Sequence, residues 1–108
     1  MKILDLINES KEEKFQEFAE SRLKGATKIV NTAKEKGGPS MLTYHHFVVK
    51  LPYYKKASEG KFDFENAKKE YDDLLDKLCK NENMEQVEFQ KLVGKLEVLG
   101  ELIIKNRK

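Results

Sequence analysis

Apolar residues recur in this chain every three and four positions, in stretches broken by glycine, proline and asparagine, and this spacing constrains the fold most. The first stretch runs from Ser10 to about Lys36. It opens on Ser10-Lys11-Glu12-Glu13, a capping-box pattern in which the Ser10 hydroxyl accepts from the Glu13 amide while Glu13 reaches back. At 100° per residue, Phe15, Phe18, Ala19, Arg22, Ala26, Ile29, Val30 and Ala33 fall on one stripe, and Gly37-Gly38-Pro39 supplies the stop.

Ser40 to Ser58 is open to two readings, because Tyr44, Phe47, Val48 and Val49 also favour strands. Helical spacing groups Tyr44, Phe47, Val48, Leu51 and Tyr54 and separates apolar from polar more cleanly than alternation does, so the expectation is a helix kinked or interrupted at Pro52. Glu59-Gly60-Lys61 makes a turn, and Asp63 reads as the N-cap of a third helix over Phe64 to Lys80. Its apolar stripe is Phe64, Ala67, Tyr71, Leu74, Leu75, Leu78 and Cys79. Asn83, with Gln86 three residues on, reads as the cap of a fourth helix reaching about Lys105.

That fourth helix carries a main stripe of Phe89, Leu92, Val93, Leu96, Leu99 and Ile103, with Val87, Val98 and Leu102 on the opposite side. A two-sided helix is either central to its bundle or shared with another copy, so Val87, Val98 and Leu102 are the candidate self-association residues. The expected fold is all-α, a small bundle of three to four helices. Residues 10–108 form one domain behind a short amphipathic segment, residues 1–9.

Composition supports a single folded unit, since 29 of 108 residues are Leu, Ile, Val or Phe. One cysteine permits no internal disulfide and favours a reducing, cytoplasmic setting. Unbroken apolar runs reach only three residues, too short for a membrane span or a signal-peptide core.

Chemistry is sparse. His45 and His46 are adjacent, and helical metal ligands stand three or four apart; Asp72 and Asp76 have such spacing but sit among lysines. Gly37-Gly38 lacks the Lys-Ser/Thr of a phosphate loop, and Cys79 reads as a small hydrophobe on an apolar stripe. The expectation is therefore no catalytic residue, no metal, no cofactor and no enzymatic activity.

Charge distribution says more than the net +2: residues 21–61 hold nine basic and two acidic side chains. Within that block His46, Lys50 and Tyr53 project together in the helical reading. With Tyr54, Lys55 and Lys56 they form the candidate binding face for a protein partner or, alternatively, for nucleic acid. The same block has a third use, docking onto the acidic third helix of its own or a neighbouring chain.

Met1-Lys2-Ile3-Leu4-Asp5-Leu6-Ile7-Asn8-Glu9 resembles the amphipathic leader of proteins packaged into the heads of large tailed bacteriophages. In that group a prohead protease cuts after Glu in a Leu or Ile, any residue, Glu context, and Ile7-Asn8-Glu9 fits. The likeness covers nine residues. It implies a viral protein of the virion interior or infected-cell cytoplasm, with Ile7 and Glu9 as processing residues. Together these readings lead to a non-enzymatic binding protein: a phage accessory or head-associated protein, or an inhibitor of a host protein.

Overall fold

A computed structural model describes residues 3–81 and 83–107, and among them all regular structure is helical. The chain runs through α1 (Ile3–Lys36), a 3₁₀ turn at Gly38–Ser40, α2 (Leu42–Val48), α3 (Leu51–Ser58), α4 (Phe64–Lys80) and α5 (Gln86–Arg107). The small helical bundle expected from the apolar spacing is what forms.

Helix α1 begins at Ile3, so Ser10 lies inside it rather than at its cap. No breaker separates residues 3 to 9 from the amphipathic stripe, and serine in a helix interior costs well under 1 kcal/mol, too little to enforce a start. The helix ends at a Gly37 amide bonded to the Ala33 carbonyl, after which Gly38 takes φ +56°, a left-handed conformation that suits glycine.

The middle stretch breaks at Val49–Lys50, just before Pro52. A continuous helix would need an amide at position 52 to bond the Val48 carbonyl, and proline has none. Instead the Lys50 amide closes onto Phe47, and α3 restarts with Tyr54 bonded to the Lys50 carbonyl. Helix α3 stops in a Schellman arrangement: Lys61 N–H bonds Lys56 C=O at 2.8 Å and Gly60 N–H bonds Ala57 C=O at 3.2 Å, with Gly60 at φ +74°. Asp63 caps α4 by accepting from the Asn66 amide at 3.2 Å. Helix α5 begins at Gln86, three residues beyond the expected Asn83 cap.

The helices form a thin slab with extents of 54 × 34 × 16 Å. Helix α1 lies along α3 and α2, while α5 packs between α2 and α4. Where they meet, Phe15, Ala19 and Ala26 of α1, Tyr54 and Ala57 of α3, and Val98 and Leu102 of α5 form the core cluster. Alanines at three of these positions let the helix axes approach closely. Phe62 joins the cluster with its ring 5.2 Å from that of Phe15.

Helix α5 is two-sided because it is central. Val98 and Leu102 are both 0% exposed, so the expected self-association surface is corrected: these side chains fill the chain's own core and offer nothing to a second copy. Val87, the third member, is half-buried. Cys79, expected among apolar neighbours, is exposed. Among the described residues no helix is long and apolar enough to cross a membrane.

Candidate functional site

The candidate binding residues sit on α2, α3 and the break between them, and α5 determines their surroundings. Helix α5 carries Gln90, Gly94, Glu97 and Glu101 at spacings of four, three and four, a polar and glycine stripe along one face. This stripe meets α2 and α3.

His46 stands between two of its oxygens, with Nδ1 3.1 Å from Gln90 Oε1 and Nε2 3.3 Å from Glu97 Oε2. Lys50 Nζ donates to the other Glu97 oxygen at 3.1 Å and lies 4.7 Å from the Phe47 ring centroid. Lys50 is only 7% exposed and is paired with Glu97, the arrangement a buried ammonium requires. Burial pushes the Glu97 carboxyl up, but the hydrogen bond and charge of Lys50, followed by those of His46, outweigh it and hold the group below its ordinary value.

Tyr54 Oη donates to Glu101 Oε1 at 2.8 Å, and the Arg22 guanidinium of α1 approaches the same oxygen at 3.7 Å. Tyr53 Oη donates to Glu70 Oε2 of α4 at 3.0 Å. Burial, then the adjacent carboxylate, pushes the Tyr53 phenol up to about 12 and raises Tyr54 further in the same direction.

The open basic and aromatic face is therefore corrected. His46, Lys50, Tyr53 and Tyr54 are brought together, but they turn inward and brace α2 and α3 against α5 and α4. Internal docking onto the acidic third predicted helix occurs for Tyr53 alone; the other three meet α5. Lys55 and Lys56 remain exposed in the last turn of α3. His45 is separate from the network, with Nε2 2.6 Å from the Pro39 carbonyl oxygen, where it ties α2 to the 3₁₀ turn. Ile7 and Glu9 lie on the first turns of α1, and their side chains fall outside the described residues.

Gly94 makes this docking sterically feasible. A Cβ there would collide with the His46 backbone carbonyl and lie 2.8 Å from Val49 Cγ2, so α2 rests on bare α5 backbone. Beside the break, Arg22, Lys50, Tyr54 and Glu101 line an open cleft of about 440 Å³ with Phe18, Ile29 and Phe47. On the far side of α5, Tyr71, Gly100, Ile103 and Ile104 line a hollow of about 260 Å³, with Lys68 and Asp72 beside it.

Sequence reasoning gave Arg22 of α1 no binding role and missed Gly94, Glu97 and Glu101 of α5. The signal available was the regular spacing of polar residues along α5. Comparisons with protein-family models, curated proteins and solved structures found no match.

Proposed function

We propose that this chain acts by binding another protein and performs no bond-breaking chemistry. The observation supporting this reading is an apolar band on the outer side of α4 and α5. Leu75, Phe89 and Ile104 are exposed, and Tyr71, Val93 and Ile103, placed beside them by helical spacing, are only half-buried. A run of large apolar side chains rimmed by charge is the usual mark of a protein contact.

From Phe89 to Ile104 the band extends about 22 Å at 1.5 Å per residue, room for four turns of a partner helix. Lys68 and Asp72 line the hollow beneath, one charge of each sign. The occupant that fits is an amphipathic helix of another protein with both charges flanking its apolar stripe. The reading includes the biological setting inferred from the leader: a phage accessory or head-associated protein, or an inhibitor of a host protein, with residues 1–9 as an assembly tag.

The test is capture from infected and uninfected host cells, followed by reconstitution from purified components with Ile104→Asp and Leu75→Asp variants. Binding by the parent chain and loss in folded variants is the expected result. Equal binding by both variants contradicts the reading.

A second reading, nucleic-acid binding, rests on exposed Lys55, Lys56 and Lys61 at the end of α3. It predicts retardation of DNA or RNA that weakens with salt and with Lys55→Ala and Lys56→Ala. No retardation at low salt removes it.

A further inference from the structure

We propose that the cleft beside the α2–α3 break binds a small monoanionic carboxylate carried on an apolar body. This site shares no residue with the apolar band and does not depend on it.

Three observations converge there. The first is Lys50. Lys50 lines the cleft and is 7% exposed, and among the described residues Glu97, just outside the lining, is the one acceptor of its three N–H donors. The Phe47 ring face, 4.7 Å from the ammonium, offsets part of the remaining charge, and two donors stay without a hydrogen-bonded oxygen of the described residues.

The second is Arg22, across the cleft on α1. Its guanidinium is half-exposed, rests over the Phe18 ring at 5.2 Å, and comes no nearer than 3.7 Å to Glu101, beyond hydrogen-bonding distance. A planar fork of donors held by an aromatic ring suits a carboxylate. Lys50, Arg22 and Lys105, whose ammonium lies 5.0 Å from the Phe18 ring centroid, are set against Glu97, which pairs with Lys50, and Glu101, so the local charge is +1, which matches a monoanion better than a dianionic phosphate. Phe18, Ile29 and Phe47 supply apolar walls for the rest of the molecule.

The third is Gly25. It sits in the middle of α1, where glycine is less stable than alanine, and no neighbour demands its absence of side chain: a Cβ there would meet nothing within 4 Å. Gly94 has a packing reason to be glycine; Gly25 has none. It does line the cleft, and any larger side chain would narrow it.

A carboxylate of this class comes either from a free small acid or from the C-terminus of a peptide. Phenylacetate and N-acetyl-phenylalanine represent the two, with phenylacetamide and inorganic phosphate as controls, each titrated into the full chain and followed by NMR at the Gly25 amide and Arg22 Nε–H. We expect saturable shifts with at least one carboxylate, the tighter of the two identifying the source, and none with phenylacetamide. Arg22→Gln should weaken binding at least tenfold. Lys50→Met keeps the length of the buried chain and should abolish binding. Gly25→Leu, at an open helical position that leaves the core untouched, should abolish it as well. Equal shifts with phenylacetamide, tighter binding of phosphate, unchanged affinity in folded Gly25→Leu, or no saturable shift up to probe solubility would each overturn the proposal. Ile104→Asp should leave this titration unchanged, which separates it from the protein-binding reading.

Discussion

Gly94→Ala and Gly25→Ala make the same chemical change at two helical positions, and their effects on stability should have opposite signs. At either site alanine gains about 0.5–1 kcal/mol over glycine by restricting the unfolded chain. At Gly25 nothing opposes that gain, because the new methyl meets no atom within 4 Å. At Gly94 the methyl meets the His46 carbonyl and Val49 Cγ2, and a backbone carbonyl cannot rotate aside as a side chain does. Overpacking of this kind costs about 1–3 kcal/mol, and the upper end applies because α2 as a whole must move off α5. The net expectation is a loss of about 2 kcal/mol for Gly94→Ala and a gain of about 0.5–1 kcal/mol for Gly25→Ala. In a chain of this size these correspond to a melting temperature lower by about 10 °C and higher by about 4 °C. Thermal and urea unfolding followed by far-ultraviolet circular dichroism measures both. A Gly94→Ala protein as stable as the parent would mean that α2 and α5 do not approach as described, and the internal network built on that contact would fall with it.

Removing the Glu97 carboxylate strands the buried Lys50 ammonium, so Glu97→Ala should cost about 1–3 kcal/mol, whereas Lys50→Met should be nearly neutral and should rescue Glu97→Ala; urea titrations of the three variants check this. The Glu97 carboxyl lies below its ordinary value of 4.5, so its contribution is complete above pH 4.5 and disappears as the pH falls through the folded-state value. Acid unfolding should accordingly begin below pH 4.5 in the parent and be shallower in Glu97→Gln. Tyr53 is shifted the other way, from 10.0 to about 12, so its stabilising effect is complete below pH 10 and is lost as the pH rises toward 12. Alkaline unfolding followed by tyrosinate absorbance should lose part of its pH dependence in Tyr53→Phe.

What could be read from the sequence was what is local. Helix α4 runs from Phe64 to Lys80 behind an Asp63 cap, as its own residues dictate, because capping, period and turn chemistry all act within a few positions. The helical choice for residues 42 to 58 also follows from local spacing, and the bend at Val49–Lys50 falls two residues before Pro52. His46, Lys50 and Tyr53 were rightly grouped, but which face of a helix is wet depends on what packs against it. Glu97 and Glu101 look like solvated charges until the four-three-four stripe with Gln90 and Gly94 is recognised as a docking strip. The same limitation put Cys79 in an apolar interior it does not occupy and left Val98 and Leu102 open to a second copy. Ser10 shows the converse: a local capping preference of modest size is overridden when the preceding residues are themselves helix-compatible.

The central claim is that the basic segment around the α2–α3 break is spent on holding the chain together, with Lys50 inside and Lys55 and Lys56 outside. Amine acetylation of the native protein, quantified lysine by lysine by mass spectrometry, tests it directly. Lys50 should be modified far more slowly than Lys55 and Lys56, and its protection should vanish on unfolding. Modification of Lys50 in the folded chain at the rate of its two neighbours would contradict the account.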